Sequence, residues 1–295
     1  MKAAVSYFIV VLIWATTPLA ISWSGHIDWF FGLASRLLIS AIIIIPIIFW
    51  VIKVPFSLKW REVRIYLSAS IGMLGGMTAI YYAAQTMPSG WISVLFGLTP
   101  IMTGIIAVLF FKDFHFNRTK LFAILISFTG LVVIFLPKLT TEEIIYGNLT
   151  TGIIFAILGV FFHALSTLLV KKTNYGIPNT HVVAGTVWIS SIVYLIVNPS
   201  FLLLWPEMDI KAIGSIVYLG TIGSVLGFIL FYYVLTKVDA VRAGLITLIT
   251  PVIAVFLGYF LNNEPLTITI GAGIFLVLLG LFIFEFIGKK NKLPL

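Results

Sequence analysis

Long apolar runs separated by short polar breaks organise this chain. Ten of the runs hold about 20 mostly apolar residues, enough for a helix that rises about 1.5 Å per residue to cross the roughly 30 Å hydrocarbon core of a bilayer. The breaks carry turn and boundary residues, as in SGHID, KVPFSLKWRE and NNEP. The pattern predicts an all-α integral membrane protein with ten transmembrane helices, near residues 4–22, 30–52, 64–85, 88–111, 119–137, 149–170, 181–198, 212–236, 239–261 and 267–287.

Two of these runs contain a Thr-Pro pair whose proline is followed thirteen residues later by an acid. One is GLTPIMTGIIAVLFFKD at residues 97–113, and the other is LITPVIAVFLGYFLNNE at residues 248–264. The offset of 151 residues aligns further pairs, and a weaker alignment of the front halves places Trp14 against His163. The further pairs are Gly72 with Gly223, Gly76 with Gly227, and Tyr81-Tyr82 with Tyr232-Tyr233.

The repeat divides the chain into two similar halves, residues 1–143 and 144–295. Each half holds five predicted helices, and because five is odd, the second half is predicted to cross the membrane upside down. Two similar halves of opposite orientation give inward-open and outward-open states of comparable energy. The sequence therefore predicts two inverted five-helix repeats, an architecture of transporters that work by alternating access, with a binding site near the midplane where the halves meet.

The distribution of Lys and Arg predicts the orientation. Of all residues, 61% are hydrophobic and 9% are charged, against about 25% charged in an average soluble domain. With the N-terminus inside, fifteen of the eighteen Lys and Arg residues fall in inside segments, while Lys138 and Lys211 fall outside and Arg36 lies within a helix. Cytoplasmic loops carry such an excess. We therefore predict a multi-pass protein of the bacterial inner membrane with both termini cytoplasmic, and we attribute the net charge of +8 to topology rather than to nucleic-acid binding.

The residue chemistry argues against an enzyme. The chain has no cysteine, no HExxH or GxSxG motif and no intramembrane aspartate pair, so no catalytic residue, metal or cofactor is expected. No Asp or Glu lies in the centre of a predicted span, which disfavours a site for cationic drugs, since a buried cation needs a carboxylate. One intramembrane cation, Arg36, is too few for the phosphates of a nucleotide sugar.

Three motifs together carry a family resemblance. They are the early tryptophan in VVLIWATTPLAIS, the arginine in LASRLLISAIII, and the repeated Thr-Pro and acid pattern followed by GLVVIF or GLFIF. In this combination the chain resembles the EamA family of the drug/metabolite transporter superfamily over essentially its whole length. The resemblance implies ten helices, alternating access and a central cavity lined chiefly by helices one, three, four, six, eight and nine, with helices five and ten peripheral. Ala15 and Asp113 depart from the family pattern, which usually has glycine and glutamate there.

Aromatic and hydroxyl groups dominate the polar residues of the spans. The expected substrate is therefore a small neutral or zwitterionic metabolite, with an amino acid or related compound as the first candidate. Pro100 and Pro251 are predicted to bend their helices for gating, because a proline leaves a carbonyl one turn earlier without its amide partner. The candidate cavity residues are Trp14, Thr17, Arg36, Tyr81, Tyr82, Gln85, Trp91, Thr99, His163, Tyr232 and Thr250.

Two ionisable candidates have alternative roles. Arg36 lies about six residues, or about 9 Å, inside the outer end of helix two, where it either receives a substrate carboxylate in the cavity or snorkels to the interface. His163 is either a packed core residue or a group that gains a proton in the cavity. For the whole chain, the alternatives are a flippase for lipid or lipid-linked substrates and a membrane scaffold without transport. The expected partners are the small-molecule substrate and the lipid bilayer, with the chain a monomer or weak homodimer.

Overall fold

The computed structural model describes residues 2–26, 28–51, 54–111, 117–139, 149–173, 176–203, 205–237 and 246–287. Within these ranges the regular secondary structure is helical throughout, in agreement with the predicted all-α class. A bilayer imposes this choice on apolar segments, because a helix satisfies its backbone N–H and C=O groups within a single segment.

Eight helices in the described ranges are long and apolar enough to cross a membrane, and two shorter apolar helices, Ile249–Asn262 and Ile268–Phe282, follow them. The structure thus fits a multi-pass membrane protein, while the count of ten spans stays a prediction. The predicted span 239–261 begins in residues outside the described ranges. Numbered in chain order, with π-helical continuations included, the helices are α1 (Lys2–Gly25), α2 (Trp29–Pro46 and Ile47–Val51), α3 (Trp60–Ile71, Gly72–Gly76 and Met77–Ala83), α4 (Ser89–Phe96, Thr99–Ile106 and Ala107–Phe111), α5 (Arg118–Leu139), α6 (Leu149–Thr173), α7 (Asn179–Val197), α8 (Ile210–Tyr218, Leu219–Leu226 and Gly227–Lys237), α9 (Ile246–Asn262) and α10 (Ile268–Phe282 and Ile283–Ile287).

Polar residues between the apolar runs fix the start of three helices. The Asp28 carboxylate accepts hydrogen bonds from the N–H groups of Phe30 at 2.8 Å and Phe31 at 3.0 Å, where α2 begins. Asp209 caps α8 and Thr267 caps α10 in the same way. Because the first N–H groups of a helix lack backbone partners, each such cap stabilises its helix by about 1 kcal/mol.

Helices α5 and α10 pack chiefly against each other. Their closest approach requires glycine, since a Cβ on Gly130 would lie 2.6 Å from the carbonyl oxygen of Gly273, and one on Gly280 would lie 2.6 Å from the carbonyl oxygen of Ala123. Small residues are the usual means by which membrane helices pack closely, because lipid supplies no hydrophobic force between them. The two helices therefore form a tightly joined pair beside the rest of the bundle.

Helices α3 and α8 each contain a π-helical segment at positions that the sequence repeat aligns. A Cβ on Gly72 of α3 would lie 3.0 Å from the side chain of Ser166 on α6, and one on Gly227 of α8 would lie 3.3 Å from Ile13 on α1. Helix α3 thus approaches α6 much as α8 approaches α1. Such π-helical insertions occur frequently at functional sites. The two segments are Gly72–Gly76 and Leu219–Leu226.

The contacts between helices follow one pattern in both halves of the chain. Helix α1 packs against α8 and α9, and α6 packs against α3 and α4. Helix α2 contacts α8, and α7 contacts α3. The remaining major contacts, α2 with α7, α4 with α9 and α5 with α10, join helices of equal position in the two halves. The interior of the bundle is therefore built where helices from both halves meet.

Candidate functional site

A cavity lies between helices of both halves and has a volume of about 550 Å³ when the open solvent space is included. Six helices contribute to its wall: α1, α3, α4, α6, α8 and α9, the six that the family resemblance implies. The wall is predominantly apolar, which suits a ligand with a substantial apolar part and few polar groups. It consists of Trp14, Thr17, Pro18, Ile21, Met77, Ile80, Ile92, Ser93, Phe96, His163, Phe228 and Thr250.

Trp14 and His163 form the polar centre of this wall. Their rings meet edge to face with centroids 5.6 Å apart. Phe231 packs on Trp14 at a centroid distance of 4.6 Å, and Phe96 packs on His163 at 5.6 Å. Within the described part of the chain, no hydrogen bond joins the indole N–H of Trp14 or the imidazole nitrogens of His163 to another residue. Because a polar atom in an apolar site gains most from a partner, the two rings are placed to hydrogen-bond a ligand in the cavity.

Hydroxyl groups supply the remaining polarity of the wall. Thr17 donates to the backbone carbonyl of Ile13 at 2.7 Å, a common arrangement for threonine within a helix. Ser93 and Thr250, both buried, face the cavity from α4 and α9. Among its described residues, the wall carries no carboxylate and no fixed cation. It therefore favours a ligand whose net charge is zero.

Arg36 lies beside the cavity without forming part of its wall. The side chain is 1% exposed, so it does not snorkel to the bilayer surface. Its Nε donates to Oγ of Ser224 at 2.8 Å, and its Nη1 lies 3.9 Å from Sδ of Met77. Met77 belongs to the cavity wall, so its side chain contacts the guanidinium and the cavity together.

Tyr81 and Gln85, two further predicted cavity residues, lie at one end of the bundle. The Tyr81 hydroxyl is 3.0 Å from the hydroxyl of Ser24, and Nε2 of Gln85 donates to the carbonyl of Gly25 at 2.9 Å. Both contacts join the C-terminal end of α3, including the turn that follows it, to the last turn of α1. The structure therefore places these side chains in helix-end contacts rather than in the wall.

Three aromatic candidates also lie outside the wall. Trp91 packs edge to face on Phe135 of α5 with centroids 5.4 Å apart, and Tyr82 packs on Phe155 of α6 at 4.3 Å. Tyr232 packs on aromatic neighbours within α8. The sequence identifies such residues by type, but the rotation of each helix decides which of its faces meets the cavity.

The two Thr-Pro pairs lie in different helical contexts. Helix α4 is interrupted after Phe96 and resumes at Thr99, whose hydroxyl donates to the Phe96 carbonyl at 2.5 Å. Pro100 is thus the second residue of the resumed segment, whereas α9 continues as a helix through Pro251. A Cβ on Gly97 would lie 3.3 Å from Cγ of Pro251. The interruption in α4 therefore packs against the proline of α9, and the role of both prolines in gating stays a prediction.

The acid of the second Thr-Pro motif caps the start of α4. Oε1 of Glu264 accepts from the N–H of Ser89 at 2.9 Å and from its hydroxyl at 2.6 Å, and Oε2 accepts from the N–H of Gly90 at 3.0 Å. A carboxylate is stabilised there because the free N–H groups of a helix start carry positive partial charge. Asp113, the aligned acid of the first motif, lies outside the described residues.

Further contacts extend this cap across one end of the bundle, which we call the capped end and define by Trp23, Gln85, Asn262 and Glu264. Nδ2 of Asn262 donates to Glu264 at 3.0 Å, and Oδ1 of Asn262 accepts from Nε1 of Trp23 at 2.8 Å. Nζ of Lys211 lies 3.9 Å from the centroid of the Trp23 ring. Polar contacts thus join α1, α3, α4, α8 and α9 at this end.

Sequence reasoning missed the apolar members of the wall, including Ile80, Ile92 and Phe228. An apolar residue that faces a cavity has the same composition as one that faces lipid, so residue type does not separate them. Helical spacing was the usable signal, since three wall residues of α1 follow Trp14 by three, four and seven positions and therefore share its face. Within the described ranges, no group of three or more His, Cys, Asp or Glu side chains could hold a metal ion.

Comparison with known proteins assigns the family. The model of the EamA-like transporter family matches residues 1–136 and 150–286. The chain belongs to the EamA-like transporter family. This membership confirms the resemblance carried by the motifs, and it makes the protein a multi-pass membrane protein of a transporter family. It also supports transport rather than catalysis as the activity.

Relatives and a solved structure agree with this assignment. An uncharacterized transporter of Archaeoglobus fulgidus is 28% identical over 232 residues, which cover 77% of this chain and 79% of that protein. The uncharacterized transporter YoaV of Bacillus subtilis is 25% identical over 297 residues, which cover 99% of each chain. A protein crystal structure matches this EamA-like transporter with a TM-score of 0.66 and 17% identity, over 98% of this chain and 99% of that one. At that identity the likeness shows the fold alone.

Proposed function

We propose that this EamA-like transporter is a secondary transporter that moves a small neutral or zwitterionic metabolite by alternating access. An amino acid or a related compound is the first candidate. On the distribution of Lys and Arg, we place it in the bacterial cytoplasmic membrane with both termini in the cytoplasm.

The contact between Trp14 and His163 carries this proposal. The two rings bring nitrogens that have no hydrogen-bond partner among the described residues into a cavity whose other surfaces are mostly apolar. An amphipathic solute can bury an apolar side chain against this wall and place its polar groups at the two rings. A solute with a net charge would lose its hydration without a counter-ion in the wall, which is costly. Overall neutrality is therefore the favoured property of the substrate.

The paired contacts between helices support alternating access. Helix α1 contacts α8 and α9, and its counterpart α6 contacts α3 and α4. In the same way, α2 contacts α8, and its counterpart α7 contacts α3. Equivalent contacts in two halves of opposite orientation would let the bundle close on either side at similar energy. The family model also matches the chain in two separate ranges, 1–136 and 150–286.

The capped end corresponds to one closed side of this cycle. In the proposed orientation it faces outwards, because its residues lie at the connections between α1 and α2, α3 and α4, and α9 and α10. Solute entry from that side would require the contacts of Glu264 with Ser89 and Gly90 to separate. These contacts support the proposal of an outward-closed state.

Counterflow in proteoliposomes tests the proposal. Purified full-length chain is reconstituted in vesicles loaded with one unlabelled amino acid, and uptake of the same radiolabelled amino acid is followed for all twenty. We expect saturable counterflow of one amino acid or more, above the rate in protein-free vesicles. Absence of counterflow for all twenty would contradict the substrate assignment. Movement of a fluorescent phospholipid between leaflets, without amino-acid counterflow, would support a flippase instead.

A further inference from the structure

The guanidinium of Arg36 is a buried charge without a counter-ion among the described residues. The side chain is 1% exposed, and among the described residues no carboxylate lies within 4.0 Å of it. Its contacts are the Ser224 hydroxyl at Nε and the Met77 thioether at Nη1. A thioether is a weak acceptor, and an uncompensated buried charge costs several kcal/mol. The positive charge of Arg36 is therefore not balanced by a carboxylate among the described residues.

One edge of the guanidinium has no oxygen partner among the described residues. Ser224 occupies Nε, so the edge formed by Nη1 and Nη2 is the one that remains. Gly223 lies beside this edge, and a Cβ there would be 3.8 Å from Nη2. The absence of a side chain at Gly223 keeps space next to Nη2. Gly223 thus leaves space beside Nη2, and Ser224 orients the guanidinium through its hydrogen bond with Nε.

Met77 separates this edge from the central cavity. Its Sδ lies 3.9 Å from Nη1 of Arg36, and its side chain is part of the cavity wall. Methionine has three rotatable side-chain bonds and readjusts easily in packed surroundings. A rotation of Met77 would therefore connect the cavity to the guanidinium without moving a helix.

We propose that Arg36 is the receptor for a carboxylate, which reaches the Nη1 and Nη2 edge from the cavity past Met77. The inference rests on the proposed function and specifies its substrate as a carboxylate-bearing solute. A carboxylate fits because its two oxygens match the guanidinium fork in a bidentate pair. One fixed cation balances one carboxylate, so a zwitterion would be bound with its carboxylate at Arg36 and its ammonium group toward Trp14 and His163. Trp14 offers its π face to an ammonium group, and His163 offers a nitrogen lone pair.

Thermal unfolding of the purified full chain in detergent tests the site without requiring transport. The probes are sodium benzoate and its neutral isostere benzamide, at constant ionic strength with sodium chloride as the reference. Benzoate at about ten times its Kd should raise Tm by about 3 °C through binding to the folded state, and benzamide should raise it less. Equal effects of benzoate and benzamide, or a Tm in benzoate equal to that in the sodium chloride reference, would overturn the proposal.

Variants test whether the effect of benzoate on Tm depends on Arg36. The difference between benzoate and benzamide should vanish in Arg36→Gln and persist in Arg64→Gln, a matched change at an exposed arginine. Gly223→Ala keeps the charge but fills space beside Nη2, so it should reduce the benzoate effect even if Arg36→Gln folds poorly. Persistence of the full difference in Arg36→Gln or Gly223→Ala would overturn the assignment.

Failure of this site and failure of transport give different results. Benzoate stabilisation that depends on Arg36, without counterflow of any amino acid, would retain the site and remove the proposed function. Counterflow that is unchanged in Arg36→Gln, together with no benzoate effect on Tm, would retain transport and remove the site.

Discussion

The rings of Trp14 and His163 meet edge to face with centroids 5.6 Å apart in the cavity wall. These are the two positions that the predicted repeat aligns in the front halves of the chain. When two halves are related by a pseudo-two-fold axis, equivalent residues touch only close to that axis. In the predicted arrangement of two inverted repeats, this contact would lie close to that axis, where such a transporter is expected to bind its solute.

Replacing His163 with Phe should weaken solute binding while retaining the ring packing with Trp14 and Phe96. Loss of one hydrogen bond to a buried ligand corresponds to about 1–3 kcal/mol, or roughly a 5-fold to 150-fold rise in apparent Kd. The concentration dependence of counterflow measures this change. His181→Phe is the matched control, because His181 is also buried but lies on α7 outside the cavity wall. Unchanged apparent affinity in His163→Phe would remove His163 from the binding site.

Replacing Pro251 with Ala should slow the transport cycle more than it weakens binding. Pro251 packs beside the interruption of α4 near Gly97, and alanine would restore a backbone hydrogen bond that stiffens α9. We expect the maximal counterflow rate to fall by about threefold to tenfold, equivalent to roughly 1 kcal/mol in the barrier. Pro46→Ala, in a helix outside the wall, is the control. A parental rate in Pro251→Ala would make this proline a packing residue only.

Replacing Glu264 with Gln should loosen the capped end. The carboxylate accepts three hydrogen bonds from Ser89 and Gly90, and the amide can accept at one atom only. The expected loss is about 1–3 kcal/mol of stability, or a decrease in Tm of about 2–10 °C. Glu207→Gln, at an exposed glutamate, should leave Tm unchanged.

The same variant tests whether the capped end controls access to the cavity. In the background of Ser93→Cys, a cysteine in the cavity wall, Glu264→Gln should increase the rate of labelling by an impermeant thiol reagent applied outside intact cells. Equal labelling rates of Ser93→Cys alone and of Ser93→Cys combined with Glu264→Gln would show that the cap stabilises the fold without controlling access.

Helix packing between α5 and α10 should be sensitive to single methyl groups. Gly280→Ala would bring a Cβ to 2.6 Å from the backbone carbonyl of Ala123, so the helices must separate. A loss of about 1–3 kcal/mol is expected for such overpacking, measured as a lower Tm of the purified protein. Gly271→Ala, on the same helix but facing open space, should have little effect. Equal Tm values for the two variants would contradict the close packing.

Single cysteines in this cysteine-free chain should report the orientation. Cysteines at His26 and Ser200 should react with an impermeant thiol reagent outside intact cells, and cysteines at Lys59 and Lys237 should react only after the cells are opened. All four side chains are exposed at helix ends, so access depends on the side of the membrane. The reverse pattern would contradict the Lys and Arg asymmetry and the outward-facing position of the capped end.

A feature could be predicted from the sequence when a single physical requirement determines which residue types form it. Apolar length predicted helices long enough to cross a membrane, eight of which lie in the described ranges, because hydrocarbon thickness sets their length. Trp14 and His163 lie in the cavity wall, and their role in substrate binding stays a prediction. Tyr82 and Trp91 are also polar groups within apolar runs, yet they pack on Phe155 and Phe135 away from the cavity. The difference lies in the rotation of each helix about its axis, which depends on tertiary packing.

Other features depend on contacts between distant parts of the chain. The cap formed by Glu264 joins positions 175 residues apart, and no local pattern indicates that this acid reaches the start of α4. The contact of Met77 with Arg36 likewise requires α2 and α3 to be placed together. The repeat marked the Thr-Pro motifs as related, but their different helical contexts came from the structure.

The mostly apolar wall of the cavity also affects whether ions leak across the membrane through the protein. A cavity with so few polar groups gives water few hydrogen-bonding partners, so a continuous file of water through the empty protein is unfavourable. Protons and sodium ions would have to shed hydration to pass, at high cost. In the proposed alternating-access cycle, the solute-free protein should therefore reorient without dissipating the proton gradient. Proteoliposomes that contain it should hold a potassium diffusion potential as long as protein-free vesicles do, and rapid collapse of that potential would contradict this consequence.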